Sequence, residues 1–177
     1  MRNRAKILSL IFLATASTAL LAGCTTDGGQ KPIAKTGGST VTAPSNSTAG
    51  IPSVSGAAGS APTIAAPQGA APTSLQTQDV IVGTGATAVS TSTLTVHYTL
   101  MAWSTGKVVE SSWTSGQPAT FALAQVIPGW QQGIPGMKEG GRRVLVIPPA
   151  LGYGAAGGGP IGPNETLIFV VDLIKVA

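Results

Sequence analysis

Apolar and polar positions alternate strictly through Leu94-Thr95-Val96-His97-Tyr98-Thr99-Leu100. Successive side chains of a strand point to opposite faces, so this stretch predicts a strand with Leu94, Val96, Tyr98 and Leu100 on one face and His97 on the other. Shorter β-rich runs bounded by turn residues predict further strands at Asp79–Val82, Lys107–Glu110, Ala119–Leu123, Arg142–Ile147 and Thr166–Val176. The last two are almost continuously apolar, the pattern of strands covered on both faces. A single short helix is signalled where Ile127, Trp130 and Ile134 share a side: Pro128 suits its first turn, and Gly133 and Pro135 end it. Pro148-Pro149 and Gly157 to Pro163 hold too many breakers for regular structure and predict exposed loops. The fold class is therefore α+β, one antiparallel sheet packed on one short helix, over residues 75–177.

The first half of the chain follows other rules. Arg2, Arg4 and Lys6 precede an apolar run from Ile7 to Leu21, so residues 1–23 read as an export signal. The run is short and speckled with Ser and Thr, unlike a membrane span of about 20 residues. Leu20-Leu21-Ala22-Gly23-Cys24 resembles the bacterial lipobox, in which small residues admit the processing enzyme and the thiol takes lipid. Cys24 is the only cysteine and has nothing to pair with. The resemblance implies a membrane-anchored lipoprotein of the cell envelope, outer-membrane in a Gram-negative cell because Thr25, not Asp, follows the cysteine. Residues 24–74 are Ala, Gly, Ser, Thr and Pro with only Ile33, Val41, Ile51, Val54 and Ile64 as large apolar side chains. Such a composition predicts a disordered tether, with a reach of about 40 Å for some 50 residues.

Net charge is +4, but three of the ten basic residues lie in the signal, leaving seven against six acidic ones. Without a sustained basic patch, nucleic acid is excluded as a partner. There is no cysteine or histidine spacing for a metal, no phosphate-binding loop and no glycine-flanked nucleophilic serine, so neither metal nor cofactor is expected. His97 is the one imidazole, and alternation turns it away from Tyr98, as a solvated strand histidine.

What remains is a series of aromatic and apolar segments between glycine turns. Val96-His97-Tyr98-Thr99, Val108 to Ser112, Val126-Ile127-Pro128-Gly129-Trp130, Gly136 to Arg143, Ile147 to Gly154 and Leu167-Ile168-Phe169 resemble, in order and spacing, the FKBP-type peptidyl-prolyl isomerases. That resemblance implies a curved sheet, a half-barrel, wrapped around the helix, with a substrate proline held between them and no cofactor. It assigns Tyr98, Glu110, Trp130, Tyr153 and Phe169 to catalysis, with Trp130 as the floor. It assigns Val109, Phe121, Val126, Ile127 and Ile161 to substrate binding. The implied partners are proline-containing unfolded proteins.

Three positions depart from the usual family pattern. Val109 stands where Phe is frequent, Glu110 replaces Asp, and Ser115 falls where many members carry an Arg near that carboxylate. They imply reduced activity and weaker affinity for the family's macrolide inhibitors. The tether lacks the helical periodicity of the arms that dimerise some members, which favours a monomer. A non-catalytic chaperone using the same groove is the competing reading.

Overall fold

The computed structural model describes residues 50–177; the export signal, Cys24 and the tether up to residue 49 lie outside the described residues. The described chain runs β1 (Val54–Ser55), β2 (Thr63–Ile64), β3 (Gln76–Ile81), β4 (Thr93–Ala102), β5 (Lys107–Ser111), β6 (Ala119–Ala122), α1 (Pro128–Gly133), β7 (Arg142–Ile147) and β8 (Leu167–Val176). Single 3-10 turns occupy Ser112–Thr114, Leu123–Gln125 and Pro149–Leu151. Six strands form one antiparallel sheet in the order β3-β7-β8-β4-β5. The long β4 pairs with β8 along one edge, and its other edge is shared by β6 at Thr93–Val96 and β5 at Thr99–Ala102.

The period-two pattern sorts each strand between two layers. Leu94, Val96 and Leu100 of β4, Leu145 and Ile147 of β7, and Leu167, Phe169, Val171 and Leu173 of β8 pack with Trp130 of α1 and Ile134 just past its end into the inner core. The alternate residues Met101, Val144, Val146, Ile168 and Val170 form a second layer on the outer face. Their burial explains why β7 and β8 are apolar at almost every position.

The cover of that outer face departs from the expected tether. Residues 50–74 form a strap whose β1–β2 hairpin pairs Val54 with Ile64 and Ser55 with Thr63. Ile51 is buried in the outer layer, with Val54 and Ile64 packed against it. The strap also supplies carbonyls to a charge. Arg142 is fully buried and donates from Nε to Asp172 Oδ1 at 2.8 Å, from Nη1 to the Gly56 carbonyl at 3.1 Å and from Nη2 to the Ser60 carbonyl at 2.6 Å. Burial pushes the Asp172 carboxyl up, against the opposing pull of Arg142. Residues 50–74 thus pack as part of the folded unit that the sequence placed from Leu75 onward. Three scattered apolar side chains are too few to reveal this by periodicity, because they serve a neighbouring surface and have no repeat of their own.

Helix α1 sits close to β7 because glycine leaves room for it. A Cβ on Gly129 would lie 2.5 Å from Ile147 Cγ2, and one on Gly133 would lie 2.5 Å from Leu145 Cδ2. Arg143 fixes the far end of the helix: its Nη1 donates to the Gly133 carbonyl at 2.9 Å while Nε and Nη2 grip both oxygens of Asp79. A cation at the helix C-terminus also opposes the partial negative charge there.

His97 points to the outer face as its alternation required, yet it is half-buried and not free in solvent. Its ring stacks on Trp113 with centroids 3.9 Å apart, and Nδ1 lies 2.9 Å from Ser112 Oγ. The 3-10 turn after β5 folds Trp113 over it, a tertiary contact that the strand pattern does not encode.

Candidate active site

Between the inner face of the sheet and the start of α1 lies a cavity of about 370 Å3. Tyr98 and Leu100 reach it from β4, Glu110 from β5, Phe121 from β6 and Phe169 from β8. Gln125, Val126 and Ile127 line the approach to the helix, Trp130 stands on its first turn, and Tyr153 comes from the loop after β7. A larger, shallower groove of about 510 Å3 between Pro72 and the Pro148–Ala155 loop offers neither an aromatic ring nor an ionisable side chain.

The aromatic walls are held edge to face around Trp130. Its ring centroid is 5.3 Å from that of Phe169, 5.9 Å from Phe121 and 6.1 Å from Tyr98, each near perpendicular. This arrangement sets the positive edge of one ring against the negative face of the next and contributes about 0.5–1.5 kcal/mol per pair beyond burial. Trp130 and Phe169 are almost inaccessible, whereas Tyr153 is 42% exposed at the mouth. Tyr153 rests against the backbone of Gly158, where an added Cβ would come within 3.1 Å of its ring.

The polar chemistry is sparse. Tyr98 donates its hydroxyl to Glu110 Oε1 at 2.5 Å. Burial, this hydrogen bond and the charge of Glu110 all push the Tyr98 hydroxyl well above the ordinary tyrosine range, with burial the largest cause. A raised value keeps the proton on Tyr98 as pH rises, so its O–H persists as a donor where a free phenol has lost it. Activity of this site measured from pH 7 to pH 10 is therefore expected to show no ionisation attributable to Tyr98. A fall centred near 10 that Tyr98→Phe abolishes would contradict this.

All five residues assigned to catalysis, Tyr98, Glu110, Trp130, Tyr153 and Phe169, line the cavity, as do Phe121, Val126 and Ile127. Val109 and Ile161 do not. Val109 packs at the margin of the inner core, and Ile161 is buried in it, held by mutual backbone hydrogen bonds with Gly158. Two lining residues were missed by sequence reasoning. Leu100 lies two positions after Tyr98 on the same face, so the alternation already carried its signal. Gln125 immediately precedes Val126 and had none. Ser115 turns its hydroxyl to the Ser112 carbonyl at 2.9 Å, and among the described residues Glu110 bonds Tyr98 alone.

The profile described as FKBP-type peptidyl-prolyl cis-trans isomerase matches residues 85–174, half of the chain. The chain belongs to this family. It is an FKBP-type peptidyl-prolyl isomerase, with Xaa-Pro peptide bonds of proteins as its substrates. Among similar proteins, the FK506-binding protein of Streptomyces anulatus is 51% identical over 106 residues, covering 58% of this chain and 86% of the relative. FkpA of Escherichia coli is 45% identical over 101 residues, covering 56% of this chain and 36% of the relative. The crystal structure of Escherichia coli FkpA superposes with a TM-score of 0.55 at 43% identity, covering 58% of this chain and 47% of that one. That of AtFKBP13 gives 0.54 at 38% identity, covering 58% and 93%. The FKBP-type domain accounts for both the open, curved sheet and the aromatic cavity beneath it. Among the described residues no helix is long and apolar enough to cross a membrane, and no group of three potential metal ligands occurs.

Proposed function

We propose that this isomerase works in the cell envelope, held at a membrane by lipid on Cys24, and rotates Xaa-Pro bonds of exported proteins as they fold. The observation that carries the catalytic half is the aromatic, largely apolar cavity around Trp130. Rotation about an amide is slow because it breaks resonance, a barrier of about 18–20 kcal/mol. A planar amide has a large dipole that water solvates well, and the twisted amide has lost part of that charge separation. An apolar cavity therefore penalises the planar ground state more than the twisted form, and differential binding of that kind lowers the barrier. No covalent step is needed.

Within this reading each lining residue has a task. Trp130 is the floor on which the proline ring rests, with Phe121 and Phe169 as flanking walls. Tyr98 and Glu110 mark the polar edge, and Tyr153 donates from the mouth to a substrate carbonyl. Val126 and Ile127 guide the neighbouring peptide, while Val109 and Ile161 pack in and against the inner core. The test is NMR exchange on Leu-Pro and Phe-Pro peptides: addition of the protein should accelerate cis-trans exchange, and an unchanged rate would remove the enzyme reading.

The envelope half is supported by the charged head and apolar run of residues 1–23 and by Leu20-Leu21-Ala22-Gly23 before the sole cysteine. A lipidated chain needs more than one acyl chain for lasting attachment, at about 0.8 kcal/mol per buried CH2. In a cell with two membranes, Thr25 favours the outer one. A monomer suits a domain whose residues 75–177 carry five basic and five acidic side chains and whose preceding segment, residues 25–74, lacks the helical periodicity of a dimerising arm. Wild type should take up labelled palmitate and sediment with membranes, and Cys24→Ser should do neither. Equal labelling of both would disprove the anchor.

A further inference from the structure

The cavity has a single formal charge on its lining, and that charge is unpaired. Glu110 is exposed, with Oε1 accepting from Tyr98, and among the described residues Oε2 has no partner. Among the described residues the ion pairs are Arg142 with Asp172 and Arg143 with Asp79, so no cation neutralises Glu110. Ser115 is turned to the Ser112 carbonyl. Lys107, the other charged residue of β5, is three residues away, roughly 10 Å along an extended strand. Gln125, the other polar side chain of the lining besides the two tyrosines, is neutral.

We propose that Glu110 selects prolines that are directly flanked by a lysine or arginine. This deepens the isomerase reading and rests on it. A proline ring on the Trp130 floor leaves its neighbours in sequence at the rim, where the carboxylate stands. The rest of the lining is apolar or neutral and cannot discriminate by charge. The Tyr98 hydroxyl already holds one carboxylate oxygen in place, so an incoming ammonium or guanidinium meets an acceptor whose ordering is complete before it arrives. The domain as a whole is close to neutral, with five basic and five acidic residues over 75–177, so a charge preference has to come from the site and not from a long-range field.

The test compares kcat/KM of the full chain on matched peptides carrying Lys, Glu or Leu on either side of the proline. Exposed ion pairs are weak, so the expected Lys-over-Glu ratio at one or both positions is about two- to fivefold in dilute buffer. In 1 M NaCl, where the screening length falls to about 3 Å, the ratio should approach one. Glu110→Gln should remove the preference whatever it does to turnover of the Leu peptides, and Glu110→Lys should reverse it. A wild-type ratio of one at both positions, or a ratio that survives Glu110→Gln, would overturn the proposal while leaving the isomerase intact. Absence of turnover on every peptide would overturn both.

Discussion

A chain that starts at Leu75 is expected to melt roughly 10 °C or more below one that starts at Gly50. Every strand of the main sheet, the helix and the cavity lie after residue 75, so by element content the shorter chain is complete. Its outer face is not. Met101, Val144, Val146, Ile168 and Val170 are buried under the strap together with Ile51, and Arg142 sends two of its donors to strap carbonyls. Deleting residues 50–74 exposes those five sheet residues to water. Loss of burial on this scale contributes on the order of 3–5 kcal/mol, at about 25 cal/mol per Å2 of apolar surface. The uncovered patch should also promote association. Thermal melting of the two chains decides the matter, and coincident midpoints would reduce the strap to a passenger. Isomerase activity of the shorter chain below its melting point should persist, because the strap supplies no residue of the cavity.

Replacing Trp130 by Leu is expected to lower kcat/KM on a Leu-Pro peptide by about 30- to 100-fold, equivalent to roughly 2–3 kcal/mol of transition-state stabilisation. The indole touches three other rings, Tyr98, Phe121 and Phe169, at centroid distances of 5.3 to 6.1 Å. Leucine keeps the helix anchored in the inner core but cannot hold those rings upright. Water then enters beneath the proline and solvates the planar amide, which removes the preference for the twisted form. Leucine is chosen over alanine because a Trp→Ala change in a core costs about 3–5 kcal/mol of stability and would confuse the readout. Activity retained within threefold, in a protein whose folding is unchanged, would mean that rotation happens elsewhere.

Legibility in the sequence followed the range of the interactions involved. The Leu94–Leu100 alternation gave both the strand and its inward face, and Tyr98 and Leu100 duly reach the cavity. Arg142–Ile147 was bounded to the residue, and α1 was fixed by Pro128 and the glycine-proline stop. These are local effects, governed by side-chain period and backbone restriction. Gathering Tyr98, Phe121, Trp130, Tyr153 and Phe169 into one site could not be derived that way and came from resemblance to a family. The errors have a common origin too. His97 was expected to be solvated, but Trp113 stacks on it, and Ile51, Val54 and Ile64 were assigned to a tether but pack on the sheet.

The sequence by itself determined the strand and helix segments, the apolar character of β7 and β8, the near-neutral charge and the family. It also required that both faces of those strands be covered, without saying by what. Only the tertiary structure decided that the cover is the 50–74 strap, that Arg142 is buried beneath it, and that among the described residues Glu110 is left with Tyr98 as its single partner. Periodicity reports how a segment divides its own faces. Which distant segment meets a face depends on surface complementarity between elements far apart in the chain, and no local pattern records it.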